Sequence, residues 1–200
     1  DLAGNIILVG QVHNGSYQGG IYKLNSSGSI LWKNETGAGG VDTFISFDID
    51  DSNNIYVIFE DGLQIYDSLY KYNSSGSIVF NVTMVSNFNS NEIRFSPTDE
   101  LYIAGTLNNN YSLYKYNTTN GSLIWSNNYS LVPSFTLTDF EFDTDGNIYL
   151  TGINNSLISI IKLNSSGSMI WNTSYDYTGT EAEANLALSL DESSIYLTNN

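Results

Sequence analysis

The stretch Tyr22-Lys-Leu-Asn-Ser-Ser-Gly-Ser-Ile-Leu-Trp32 returns as Tyr70-Lys-Tyr-Asn-Ser-Ser-Gly-Ser-Ile-Val-Phe80, as Tyr114-Lys-Tyr-Asn-Thr-Thr-Asn-Gly-Ser-Leu-Ile-Trp125 and as Ile161-Lys-Leu-Asn-Ser-Ser-Gly-Ser-Met-Ile-Trp171. Its asparagine falls at 25, 73, 117 and 164, with spacings of 48, 44 and 47 residues. A second phrase occurs five times, as Asn5-Ile-Ile-Leu-Val9, Asn54-Ile-Tyr-Val-Ile58, Glu100-Leu-Tyr-Ile-Ala104, Asn147-Ile-Tyr-Leu-Thr151 and Ser194-Ile-Tyr-Leu-Thr198, starting 49, 46, 47 and 47 residues apart. Self-similarity at this period marks a unit that buries its apolar faces against its own copies.

Each unit reads as four short strands, a to d. An alternating run such as Phe44 to Ile49 or Phe140 to Asp143 leads through an Asp/Gly/Asn turn into the Ile-Tyr run, which is a hairpin by pattern and turn chemistry. The Tyr-Lys-x-Asn strand follows, then the Ser-Ser-Gly turn and the Ile-x-Trp strand. Helix caps and a 3.6-residue period are absent, and Pro97 and Pro133 fall in turn or loop contexts. Tandem four-stranded antiparallel units of this length predict an all-β fold, a β-propeller with four blade equivalents; solenoid repeats are shorter and sandwiches repeat less faithfully. The expected division of this single repeat domain, 1–200, is a partial blade of strands b, c and d over 1–41, blades over 42–90, 91–135 and 136–184, and a partial blade of strands a and b over 185–200. If the last strand a joined the first b, c and d, a four-bladed ring would close with one b strand left over.

Two of these phrases resemble known families. Tyr114 to Trp125 is similar to the strand-turn-strand of PQQ-like propeller repeats, and Asp143-Thr-Asp-Gly-Asn-Ile-Tyr-Leu150 resembles the turn of NHL and SBBP-type propeller repeats. The resemblance covers essentially the whole chain and implies the architecture. Those families include quinoprotein dehydrogenases, assembly scaffolds, lyases and cell-surface proteins. The adjacent cysteine pair of the quinoprotein enzymes is missing, since the chain has no cysteine.

Charge narrows the partners. Among 200 residues stand 21 acids and 6 bases, a net charge of -15, so phosphate backbones and acidic lipid surfaces repel the chain and no nucleic acid is expected as a partner. No stretch approaches the roughly 20 apolar residues of a spanning helix, so no membrane insertion is expected. With 41% hydrophobic and 14% aromatic residues the chain has the material for a packed core. Asn, Ser and Thr fill the polar positions in place of Lys and Glu.

Asn-x-Ser/Thr occurs at Asn14, Asn25, Asn34, Asn73, Asn81, Asn110, Asn117, Asn120, Asn128, Asn154, Asn164 and Asn172. Asn and Ser in hairpins also build their own side-chain turns, so the pattern serves the backbone whether or not it carries sugar. Asp143, Asp145 and Asn147 are spaced like the first ligands of a calcium loop, yet Leu150 to Asn155 lacks the later bidentate acid, so a plain tight hairpin is the main reading and calcium the alternative; no other cofactor is expected. Asp48, Asp50, Asp51 and Asn53 partly echo the same spacing.

Residues repeated in every unit answer a structural need. Lys23, Lys71, Lys115 and Lys162 share one register of strand c and are expected to pair with acids of neighbouring strands or to lie over a strand face. Trp32, Phe80, Trp125 and Trp171 share one register of strand d and are expected to pack blade on blade. Tyr56, Tyr102, Tyr149 and Tyr196 do the same in strand b. His13, the single histidine, sits in a Gly/Asn/Ser context with no triad or metal set around it, and no carboxylate pair stands out.

These readings predict a secreted or cell-surface propeller-repeat glycoprotein with a structural or interaction role, located outside the cell. It is expected to assemble with copies of itself, or with further repeats of the same chain, through open blade edges or the surplus terminal strand. No catalytic residue is assigned, and the chain is not expected to be an enzyme. One alternative is a propeller that binds a glycan or a protein or peptide ligand through Tyr17, Phe88, Tyr111, Tyr129, Tyr175 and Tyr177 in its loops. A propeller hydrolase or lyase is the third reading, which requires blade-unique polar residues gathered at the channel.

Overall fold

The computed structural model describes residues 1–13, 17–35, 43–60, 66–108, 110–130, 136–154, 157–176 and 184–199, and every element among them is a strand. The first sheet joins β1 (Ile6–His13), β2 (Tyr17–Leu24) and β3 (Ile30–Glu35). The second joins β4 (Thr43–Ile49), β5 (Ile55–Glu60), β6 (Asp67–Tyr72) and β7 (Ile78–Thr83). The third holds β8 (Phe88–Phe95), β9 (Leu101–Leu107), β10 (Asn110–Tyr116) and β11 (Leu123–Tyr129), and the fourth β12 (Thr136–Phe142), β13 (Ile148–Asn154), β14 (Leu157–Leu163) and β15 (Met169–Asp176). A hairpin of β16 (Ala184–Leu188) and β17 (Ile195–Asn199) completes the order. Within each sheet the strands pair antiparallel with their neighbours in sequence, so the sheets are meanders and each is one blade. Among the described residues β1 is bonded only to β2 and β16 only to β17, so the terminal strands do not merge into one closing blade.

Turn chemistry makes the strands repeat. In the first blade the Asn25 side chain accepts the amides of Ser27 and Ser29, and Gly28 takes φ 82°, a left-handed conformation that costs a residue with a Cβ. The same construction stands at Asn73 with Gly76 and at Asn164 with Gly167. The one-residue insertion at Asn117 to Gly121 is absorbed in the turn, because the amide of Gly121 bonds the carbonyl of Asn117. Just beyond each turn strand d bulges opposite the lysine, which turns Leu31, Val79, Ile124 and Ile170 out to the rim.

Apolar residues of successive blades interdigitate, as sheet faces must to leave water. Ile7, Val9, Ile21 and Trp32 of the first blade pack on Ile55, Val57, Phe59 and Tyr72 of the second. Tyr56, Ile58, Leu69 and Phe80 then meet Leu101, Ile103, Tyr114 and Tyr116, and Tyr102, Ala104, Leu113 and Trp125 meet Ile148, Leu150, Ile161 and Leu163. Tyr149, Ile160 and Trp171 cover Leu186, Leu188, Ile195 and Leu197 of the last hairpin.

A polar latch accompanies each apolar interface. The lysine of strand c is paired with an acid of the a-b turn in its own blade: Lys23 with Asp1 at 2.8 Å, Lys71 with Asp50 at 4.0 Å and Lys162 with Asp143 at 3.2 Å. In the third blade Ser96 replaces that aspartate and Glu100 replaces the asparagine four residues on, and Lys115 turns to Glu100 at 2.6 Å. The carboxylate has moved one strand end without loss of the pair. Glu100→Asn is therefore expected to cost about 1 kcal/mol, the scale of a half-exposed pair, and adding Ser96→Asp to restore most of it. Urea midpoints of the two variants check this.

Candidate functional site

The inner strands β4, β8, β12 and β16 carry strand a of successive blades and lie against one another, β4 against β8 and β12 against β16. An innermost strand has one paired edge and one open edge, and its open-edge N-H groups need acceptors. In this chain the preceding blade supplies them from side chains. The hydroxyl of Ser46 accepts from Ile93 N at 3.3 Å, Glu92 from Phe140 N at 3.2 Å and Asp139 from Leu186 N at 2.7 Å. Asp48 accepts from Phe95 N at 2.7 Å.

These side chains reach the open edge because strand a is bulged. The register slips between Phe44 and Ser46, between Ser90 and Glu92, and between Leu137 and Asp139, one extra residue each time. A bulge re-aims the residues beyond it. Glycine stands opposite two of the bulges: Gly105 pairs with Ser90 and Gly152 with Leu137. A Cβ on Gly152 would collide with the Thr136 carbonyl and the Tyr111 hydroxyl.

Residues just beyond two of the bulges converge on one guanidinium. Arg94 Nε donates to Glu92 at 2.7 Å, one terminal nitrogen lies 3.1 Å from Asp139, and the other 3.0 Å from Glu141 in the next blade. Its carbon sits 5.8 Å from the centre of the Phe140 ring. The guanidinium side chain is 32% exposed, so the cluster faces solvent without being immersed in it.

Burial acts first on the carboxyls. It raises Glu92 to about 8; Arg94 opposes this, while the charge and hydrogen bond of Asp139 add to it. Burial also raises Asp48 and Glu141, against the pull of backbone N-H donors and Arg94. For Arg94 burial lowers the pKa, and Glu92, Glu141 and Asp139 overcome it, so the guanidinium is held charged more firmly than usual. A carboxyl titrating near neutrality beside a fixed cation and a second carboxylate is equipped to give and take a proton.

Linkage gives a stability signature. Because Glu92 binds its proton more tightly folded than unfolded, the stabilisation is full below the ordinary value of 4.5 and is lost as pH rises through about 8. Glu92→Gln mimics the protonated form. It is expected to match the parent near pH 5 and to exceed it in thermal midpoint above pH 8.

Other residues singled out in the sequence are placed as follows. Asp143, Asp145 and Asn147 share the a-b turn of the fourth blade, where Asp143 accepts from Asn147 N at 2.7 Å, from its amide at 2.8 Å and from the Tyr149 hydroxyl at 3.1 Å. Burial would raise Asp143, but these donors and Lys162 hold it below the ordinary carboxylate range. Among the described residues no three His, Cys, Asp or Glu side chains gather as a metal set. His13 is exposed at the end of β1, its ring 4.8 Å from that of Tyr17.

Of the sequon asparagines, Asn81, Asn120, Asn128 and Asn172 are exposed, and Asn25, Asn73, Asn117 and Asn164 are half-buried in the c-d turns. The amide of Asn34 donates to Gly76 O at 2.7 Å, and that of Asn110 to Asn108 O at 3.3 Å. Asn14 lies outside the described residues, as does the side chain of Asn154. The loop aromatics do not form one platform, because Phe88, Tyr111 and Tyr129 are core residues. Only Tyr17 and Tyr175 are exposed, and Tyr177 lies outside the described residues.

Comparison with solved structures matches the arrangement of blades. A protein from Lactobacillus plantarum superposes with a TM-score of 0.69 at 15% identity over 100% of this chain and 62% of its own. The Dos1 propeller gives 0.60 at 11% identity, with 97% and 49% covered. The fold is a β-propeller. A virginiamycin B lyase from Staphylococcus aureus gives 0.60 at 12% identity, with 97% of this chain and 67% of its own covered. The chain thus spans between about half and two thirds of the propellers it resembles. No family model matches the sequence, and no curated protein does.

At 15% identity and below, these likenesses establish the propeller and no activity. They do overturn the expectation that the chain is not an enzyme. The solved propellers it resembles include that lyase and a gluconolactonase from Xanthomonas campestris, so the scaffold itself is no argument against catalysis. The carboxylate grouping that did not stand out in the sequence is also present, as Glu92, Asp139 and Glu141 around Arg94.

Proposed function

We propose that this propeller module engages a small polar ligand at its inner-strand cluster, with Glu92 as the proton-transferring group. The observation that carries the reading is the convergence of three carboxyls on Arg94, where Glu92 is raised to about 8. Arg94 spends its donors on carboxylates, so its part is to hold their positions. A neutral ligand with a carbonyl or hydroxyl suits such a site, because an anion would meet the surplus of acids. Cyclic esters are one such class, and one solved propeller of this likeness is named a gluconolactonase. In ester opening, Asp139 or Glu141 would take a proton from the attacking water while Glu92 gives one to the departing oxygen. The test is proton release from a panel of sugar lactones and simple esters across pH. The expected result is turnover that depends on a group titrating near 8 and is lost in Glu92→Gln. Equal turnover by parent and variant would remove the proposal.

A second reading, as the setting of the first, is an extracellular or cell-surface glycoprotein. It is favoured by the exposure of Asn81, Asn120, Asn128 and Asn172, which leaves room for a glycan at each. Chain secreted from a glycosylating host is expected to exceed 22.1 kDa by intact mass and to fall back toward it when these four are changed to Gln. An unmodified parent mass would rule this reading out.

A further inference from the structure

Strand d is the outermost strand of each blade, and among the described residues β3, β7, β11 and β15 are bonded on one side only. An open edge of this kind recruits other strands unless charge, proline or a covering group blocks it. Each of these edges also presents aliphatic side chains. Leu31, Val79, Ile124 and Ile170, which the bulges turn outward, are 49% to 53% exposed, and the residue before each is exposed as well. They share the face that packs on the preceding blade, as Asn81 pairs with Tyr70 and Tyr70 packs toward the first blade. For β7, β11 and β15 that preceding blade is in place, yet the three are as exposed as Leu31, so the ends of the chain do not account for the exposure.

The rest of that face shows how the edge is managed. Two and four residues beyond the bulged aliphatic stand Lys33 and Glu35 in the first blade, Asn81 and Thr83 in the second, Ser126 and Asn128 in the third, and Asn172 and Ser174 in the fourth. The first blade thus holds an ion pair, closed at 3.0 Å, where each of the others holds the exposed asparagine of an Asn-x-Ser/Thr sequon. The two devices exclude each other. β7 and β11 carry no charged residue and β15 none before Asp176. Asn34 of the first blade also heads a sequon, but it lies on the opposite face and its amide donates to Gly76 O at 2.7 Å.

We propose that N-linked glycans on Asn81, Asn128 and Asn172 guard the open edges of β7, β11 and β15, as the pair of Lys33 and Glu35 guards that of β3. This rests on the glycoprotein reading above and gives three of its sugars a task. Attachment forms a bond from the asparagine Nδ2 to C1 of the sugar as the C1-O bond to a lipid diphosphate breaks; one amide proton passes to the host transferase, and the lipid leaves with its diphosphate. Along an extended strand Asn81 lies about 7 Å from Val79, and Asn172 as far from Ile170, so the first sugar covers the aliphatic side chain and crowds the edge beside it. Asn128 lies about 13 Å from Ile124, within reach of a second sugar. Sugar hydroxyls keep the rim wet without adding to a net charge that is already -15.

The 200-residue chain secreted from a glycosylating host, mapped by peptide mass and run on a sizing column after mild warming, tests this. Sugar is expected on all three asparagines. Combining Asn81→Gln, Asn128→Gln and Asn172→Gln should shift the parent's elution to larger species, and placing Lys at the same three positions should restore it, since a charge then blocks each edge. Asn120→Gln, which removes a sequon from the c-d turn, should elute as the parent does. Sugar absent from the three sites would overturn the guard together with the glycoprotein reading of those sites. Sugar present, with the triple Gln variant eluting as the parent, would overturn the guard alone. A triple Gln variant whose thermal midpoint falls and is not restored by Lys would show that the sugars stabilise the blades, and would overturn it too.

Discussion

Replacing Arg94 by methionine is expected to destabilise the fold by about 3 kcal/mol at neutral pH, the scale of stripping one partner from an ion cluster that is only partly exposed. Methionine keeps the stem that runs past Phe140 and removes the charge. Glu92, Asp139 and Glu141 are then left facing one another across the boundary between the third and fourth blades. Two of them also cap open-edge amides, Glu92 that of Phe140 and Asp139 that of Leu186, so they cannot turn away without leaving N-H groups bare. The loss should shrink as pH falls and the carboxyls take up protons. Arg94→Lys should recover only part of it, because one ammonium cannot reach three carboxyls in two blades. Urea unfolding of both variants at pH 9 and pH 5 measures this; a pH-independent loss would show that the charge of Arg94 is not what stabilises the cluster.

A methyl group on Gly152 is expected to cost about as much, around 3 kcal/mol, the upper part of the range for overpacking. The new Cβ would meet the Thr136 carbonyl of its own sheet and the Tyr111 hydroxyl of the blade before. Backbone cannot give way as the end of a flexible side chain can. Gly10 occupies the same register in the first blade, where an added Cβ finds nothing within 4 Å, and Gly10→Ala is expected to change stability by about 0.5 kcal/mol or less. Thermal midpoints of the pair make the comparison internal. Similar values for the two would mean that strand b tolerates a side chain at the bulge, and that the bulge does not depend on glycine.

The two substitutions differ in how far the sequence foretells them. Gly105 and Gly152 stand 47 residues apart, each directly after a copy of the second repeated phrase, which marks the position but not the bulge opposite it. The cluster around Arg94 is harder to see. Aligned by blade, one column of strand a reads Ser46, Glu92, Asp139 and Asn185, and the next reads Asp48, Arg94, Glu141 and Ala187. No residue type repeats, so a search for identity passes over both columns, although polar residues on an otherwise apolar strand were the available signal. The loop aromatics mislead in the opposite direction: Phe88, Tyr111 and Tyr129 sit in segments that read as loops, yet blade contacts bury them.

The sequence by itself determined the strand order, the meander and the propeller fold, because hydrophobic alternation, Asx turns and left-handed glycines act within a few residues of one another and recur with the repeat. Tertiary structure alone decided which acids meet. Partners such as Arg94 with Asp139 and Glu92 with Phe140 N lie 45 and 48 positions apart, about one full blade. Their approach depends on a one-residue bulge that aims each side chain at the neighbouring strand, and on burial that changes what a carboxyl there can do. Neither the bulge nor the burial is a property of any local stretch.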